Sequence, residues 1–125
     1  MKSALVLAFS MFVAELALAE PVIVTAPEIK SLLSGNSIEG TWSGDEYKQY
    51  FNENGSTTYA QRGSRETFGK WRVNEQSNEY ESWWERAGWS GYGVVREGEQ
   101  LFWISSGLEP QPFKVVEGHH LEWNE

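Results

Sequence analysis

From Ile38 onward the chain alternates apolar and polar residues in runs of four to eight, and Gly, Asn or Ser turn signals break the runs. A period of two sends neighbouring side chains to opposite faces, so the runs read as short strands. Connections this brief join antiparallel neighbours. The runs are 38–43, 47–52, 56–61, 68–74, 79–84, 90–97, 101–105, 113–116 and 120–123. Asn54-Gly55 is the strongest hairpin signal, 106–112 reads as a Gly/Pro loop, and Glu117-Gly118 turns the chain into the last run. Within 68–74, Gly69, Trp71 and Val73 share one face, and Lys70 and Arg72 the other. A long open sheet of eight or nine such strands leaves aromatic faces wet and edges unpaired. Folding into a sandwich removes both problems, and so does curling into a small up-and-down barrel, closed or partly open. The expected fold class is mainly β: an antiparallel meander closing into a barrel, preceded by one short helix.

That helix is written at 26–34. Thr25-Ala26-Pro27-Glu28 fits a capping box, with Thr25 as N-cap, Pro27 in the first turn and Glu28 at the third helical position. Ile29, Leu32 and Leu33 lie on one helical face, and Gly35-Asn36 is a stop signal. Residues 20–26 read as an extended lead.

Residues 1–19 are set apart from the fold. Lys2, the apolar run 4–14 and the small-x-small triplet Ala17-Leu18-Ala19 match a signal peptide. The run is too short to span a bilayer and Glu15 closes it, the alternative being an uncleaved anchor. The expectation is cleavage after Ala19 and an exported, periplasmic protein, divided into signal peptide 1–19, lead and helix 20–37, and β domain 38–125. At 125 residues the chain has room for one such domain. With no cysteine, an exported domain lacks the usual covalent staples and cannot be lipidated through a processed N-terminal cysteine. Apolar burial must hold it, and sixteen aromatic residues beyond position 19 supply the area. The net charge of −8 survives removal of Lys2 and Glu15. It argues against nucleic acid and anionic membranes, and permits a cationic protein partner without requiring one, since plain solubility is the better explanation.

Two resemblances follow. A helix and then Gly40-Thr41-Trp42 at the first strand resembles the opening of lipocalin-like barrels, in which the tryptophan closes the barrel floor beneath the N-terminal helical turn. Some small periplasmic protease inhibitors share that barrel. The spread LSGNSIEGTW…YKQYFNENGSTTY…GKWRV…YESWWERAGWSGY, over 33–92, resembles small exported proteobacterial proteins of unknown function. That resemblance implies export and a β-fold but no activity. It also implies a cysteine pair where this chain has Ser82 and Gly91, so a staple and any redox role are missing here.

The stretch 80–93, YESWWERAGWSGYG, concentrates the candidate site residues. With Glu85-Arg86-Ala87-Gly88 as a four-residue turn, Trp84 faces Trp89, Ser82 faces Gly91 and Tyr80 faces Gly93. Tyr80, Trp84 and Trp89 then point inward over small residues. Together with Trp42, Trp71 and Trp103 they form the expected core. Trp83 and Tyr92 fall on the other face, framed by Glu81 and Glu85. These four are the candidate binding residues, able to stack on a sugar ring or a cationic side chain. The alternative is a hydrophobic patch covered by the helix or another strand.

Catalytic patterns are sparse. His119 and His120 are adjacent, which on a strand sends them to opposite faces and makes a poor metal site. No Gly-x-Ser-x-Gly elbow, Walker loop or Gly-x-Gly-x-x-Gly occurs. The carboxylate pairs Glu79/Glu81 and Glu97/Glu99 sit along single strands and flank no cleft. The expectation is a non-catalytic binding protein without a cofactor, taking a small amphipathic molecule in the barrel mouth or a protein partner. The alternatives are an inhibitor of a secreted hydrolase and a small cell-envelope hydrolase.

Overall fold

The computed structural model describes residues 20–123; the expected signal segment lies outside the described residues. The elements are β1 Val22–Ile23, α1 Ala26–Leu33, β2 Ser37–Trp42, β3 Asp45–Phe51, β4 Ser56–Gln61, β5 Thr67–Asn74, β6 Glu79–Trp84, β7 Gly88–Glu97, β8 Gln100–Ser105 and β9 Leu108–Val116. From β2 to β9 each strand pairs antiparallel with the next, and β9 returns to β2 from Ser37↔Val116 to Gly40↔Phe113. The result is a closed eight-stranded up-and-down barrel, with β1 added against β7 at Val95 and Arg96. No helix among the described residues is long and apolar enough to cross a membrane.

α1 forms where the capping residues place it. Glu28 accepts hydrogen bonds from the Thr25 backbone N–H at 3.0 Å and from the Thr25 hydroxyl at 2.9 Å. These bonds hold the Glu28 carboxyl below its ordinary range. Ala26, Ile29 and Leu33 are buried, and the Ala26 N–H is anchored on Asn78 Oδ1 at 2.8 Å. The helix closes the end of the barrel at which β2 starts. Phe51 and Trp71 fill the interior there in an edge-on pair. The Trp71 indole N–H donates to the Asn52 carbonyl at 2.8 Å.

Two strand expectations are corrected. Of the Gly/Pro loop only 106–107 are a turn; 108–112 are the first half of β9, and its prolines sit where a missing N–H does least harm. Pro110 falls at the irregularity between Trp103 and Ser105, and Pro112 precedes the point where β2 joins. The run 120–123 is an irregular strap rather than a strand. Ser37 Oγ donates to the Gly118 carbonyl at 2.7 Å and accepts from the His120 N–H at 2.8 Å. Beyond it Leu121 is buried, and Trp123 lies under Lys48 and Arg62. The backbone groups that a ninth barrel strand would need are already paired by closure, so the tail lies over the outside.

Gly40-x-Trp42 does not close the floor under the helix. Gly40 and Trp42 come at the end of β2, a full strand from α1, and Trp42 stands at the far mouth with its ring edge-on to Tyr92 at 5.5 Å. Gly40 is required by close approach: a Cβ there would lie 2.8 Å from the Pro112 carbonyl oxygen and 3.3 Å from the Tyr47 ring.

Candidate functional site

The β6–β7 hairpin sets the site, and its register differs by one residue from the four-residue turn. Ala87 N–H bonds to the Trp84 carbonyl at 3.0 Å, Arg86 adopts φ 78° and Gly88 φ 74°. Three residues therefore connect the strands, and the pairs are Trp84↔Gly88, Trp83↔Trp89, Ser82↔Ser90 and Tyr80↔Tyr92. A one-residue slip moves every side chain of a strand to its other face. Tyr80, Ser82 and Trp84 point inward as expected. Trp89, expected in the core, is turned outward and is 41% exposed, while Tyr92, expected outside, lines the interior. Ser82 now faces inward and Gly91 outward, so no bridge could join those positions.

The four candidate binding residues are not brought together. Trp83 is on the outer face with Lys70 Nζ 4.9 Å from its ring centroid. Glu81 accepts from Arg72 Nε at 2.6 Å and from Asn74 at 3.2 Å, contacts that lower its carboxyl pKa. Arg72 also covers Trp89, its guanidinium carbon 3.8 Å from the ring centroid. Glu85 borders a separate hollow of about 580 Å³ with Thr67, Phe68, Trp84 and Arg86, and Tyr92 is on the opposite side of the sheet. Among the described residues no group of three or more His, Asp or Glu could hold a metal ion.

The interior is half filled. Near α1 it is solid, but the other half opens as a cavity of about 250 Å³. Its deep residues are Tyr47, Gln49, Tyr80, Ser82 and Trp103, all buried; Trp42, Tyr59, Trp84 and Tyr92 are half-buried around the mouth, and Thr67 is at the rim. Strand parity places each one. Tyr47 and Gln49 alternate inward with Phe51 on β3, and Tyr80, Ser82 and Trp84 alternate on β6. Trp84 rests on bare backbone, for a Cβ at Gly69 would come within 2.7 Å of its ring and 2.4 Å of the Trp83 carbonyl oxygen. The paired large and small residues leave the hollow between them.

The deep polar groups are satisfied within the barrel in small hydrogen-bonded sets. Gln49 Nε2 donates to Tyr80 Oη and Thr57 Oγ1, both at 3.0 Å, and Thr57 passes its own hydrogen to the Tyr50 carbonyl at 2.7 Å. The Trp84 indole donates to Ser82 Oγ at 3.1 Å, and the Trp103 indole to Tyr47 Oη at 3.1 Å. Burial pushes the Tyr80 phenol up to about 12, and raises Tyr47 and Tyr59 as well, so all three stay neutral at ordinary pH. Hence none of the described residues that line the cavity is ionised at ordinary pH. Gln49 is the residue that sequence reasoning passed over. Its signal was parity, a lone amide on the apolar face of β3.

Comparison with protein-family models, curated proteins and solved structures returned no match.

Proposed function

We propose that the chain is an exported, non-catalytic binding protein that holds a small amphipathic molecule in the mouth of the barrel. The observation that carries this reading is the half-open cavity, with aromatic walls above a hydrogen-bonded floor. Ligand sites commonly combine apolar walls with a few convergent polar groups. The volume is just below the usual range of such sites, which favours a molecule of one ring or its equivalent. What supports a non-catalytic role is the lining: neutral phenols, an amide and hydroxyls, with no carboxylate pair facing across the hollow. Export rests on Lys2, the apolar run and Ala17-Leu18-Ala19.

The rival readings draw less support. An inhibitor of a cationic hydrolase would need an acidic contact face, whereas the exposed aromatic face of β5–β7 already carries Lys70 and Arg72 over its tryptophans.

Benzyl alcohol is a suitable probe, followed by calorimetry. The wild-type chain and Trp89→Ala should bind it alike. Thr67→Trp, which places a large ring at the exposed rim, should abolish binding. The reverse pattern, loss in Trp89→Ala and retention in Thr67→Trp, would move the site to the outer face.

A further inference from the structure

We infer that the ligand of the barrel mouth is an alkylated ammonium, an organic cation of about the size of choline. The inference rests on the binding reading above and adds the charge of what binds. Among the described residues no Lys, Arg, Asp or Glu lines the cavity. An anion would therefore be buried with no counter-charge, which is costly. A weakly hydrated cation is different, because the negative faces of aromatic rings can replace its water. The mouth presents Trp42, Tyr59, Trp84 and Tyr92.

The fixed N–H donors of the floor are already used. The indole N–H groups of Trp84 and Trp103 and the amide hydrogens of Gln49 are all bonded inside the barrel. What remains for a ligand are the aromatic lining, the hydroxyls of Tyr47, Tyr80 and Ser82, which can donate or accept, and the Gln49 amide oxygen, which accepts no hydrogen bond from the described side chains. A cavity whose fixed donors are occupied suits a molecule that brings positive charge, with a hydroxyl of its own to donate.

Outside the barrel the protein uses tryptophan in this way. Trp83 and Trp89 each carry a Lys or Arg over the ring, and Trp123 carries two, Lys48 and Arg62. Among the described residues no cation stands over Trp42 or Trp84. At the rim Asp45 pairs directly with Trp42 and acts on Tyr59. Together with the net charge of −8 it draws cations toward the opening.

The test compares choline with 3,3-dimethylbutan-1-ol, which has the same shape with carbon in place of the charged nitrogen. Benzyl alcohol reports on the cavity independently of charge. Choline should bind at least about tenfold more tightly than its neutral isostere. That preference should shrink with added salt and in Asp45→Asn. Equal or tighter binding of the isostere, with benzyl alcohol still bound, would overturn the cationic ligand and leave the cavity reading standing. If none of the three binds, the cavity reading fails and takes this inference with it.

Discussion

At the scale of the residue, burial rather than charge decides how the aromatic side chains behave. Tyr80 is 4% exposed, touches Phe51, Trp71 and Trp103 with its ring, and holds the Gln49 amide through its hydroxyl. Desolvation is the main reason its pKa is raised, since a phenolate there would lose its water. A phenol raised from its usual value near 10 to about 12 contributes stability that is complete below pH 10. As the pH rises toward 12 the unfolded chain loses its proton first, and that contribution, about 2–3 kcal/mol, disappears. Tyr47 shifts in the same direction. Melting temperature followed by circular dichroism should therefore fall steeply above pH 10. Tyr80→Phe should be less stable at neutral pH by about 1 kcal/mol, because the Gln49 amide loses a partner, yet lose stability more gradually above pH 10. An unchanged alkaline slope in that variant would show that Tyr80 is not the titrating group.

At the scale of the element, turn chemistry governs which face each strand shows. Strand positions were readable from alternation alone: β4 and β6 fall where the pattern places them, and β2, β3, β5, β7 and β8 differ only by a few residues at their ends. Loop lengths were less readable. Asn54-Gly55 marks a hairpin, but the loop there is three residues, with Gly55 at φ 96° and Asn52 N–H bonded to the Ser56 carbonyl. The two-residue hairpin with both central residues at positive φ is Ser43-Gly44 instead. The β6–β7 connection misled because Arg86 takes a left-handed conformation that composition assigns to Gly88 alone. It is the third residue of a turn closed from Ala87 to Trp84, a position that favours glycine or asparagine. Holding a side chain there costs about 1–2 kcal/mol. Arg86→Gly should therefore raise the unfolding free energy by about 0.5–1 kcal/mol, read as a higher urea midpoint with an unchanged slope, once the entropy of a new glycine is offset. A lower midpoint would mean that the Arg86 side chain stabilises the hairpin more than its backbone strains it. The candidate site was legible only in part for the same reason. Inward parity on β6 follows from Tyr80, Ser82 and Trp84, but Tyr92 and Trp89 depend on a single loop residue.

At the scale of the whole molecule, closure does what a disulfide does elsewhere. β9 pairs with β2 and leaves no barrel edge open, and the tail ties its end to Ser37 and to Asn36, whose side chain accepts from the Gly118 N–H at 3.0 Å. The two ends of the barrel then serve different purposes. The end under α1 is packed solid by Ile29, Leu33, Phe51 and Trp71, so the hollow at the other end need not weaken the core. Seven tryptophans are divided by that plan: Trp71 and Trp103 in the core, Trp42 and Trp84 at the mouth, and Trp83, Trp89 and Trp123 outside under cations. The proposed function depends on the mouth being the binding site. Its most direct measurement is the intermolecular proton contacts of bound choline in solution. Nuclear Overhauser effects are expected from the choline methyl protons to the rings of Trp42, Tyr59 and Trp84. Contacts to Trp83, Trp89 and Phe68 instead would contradict it.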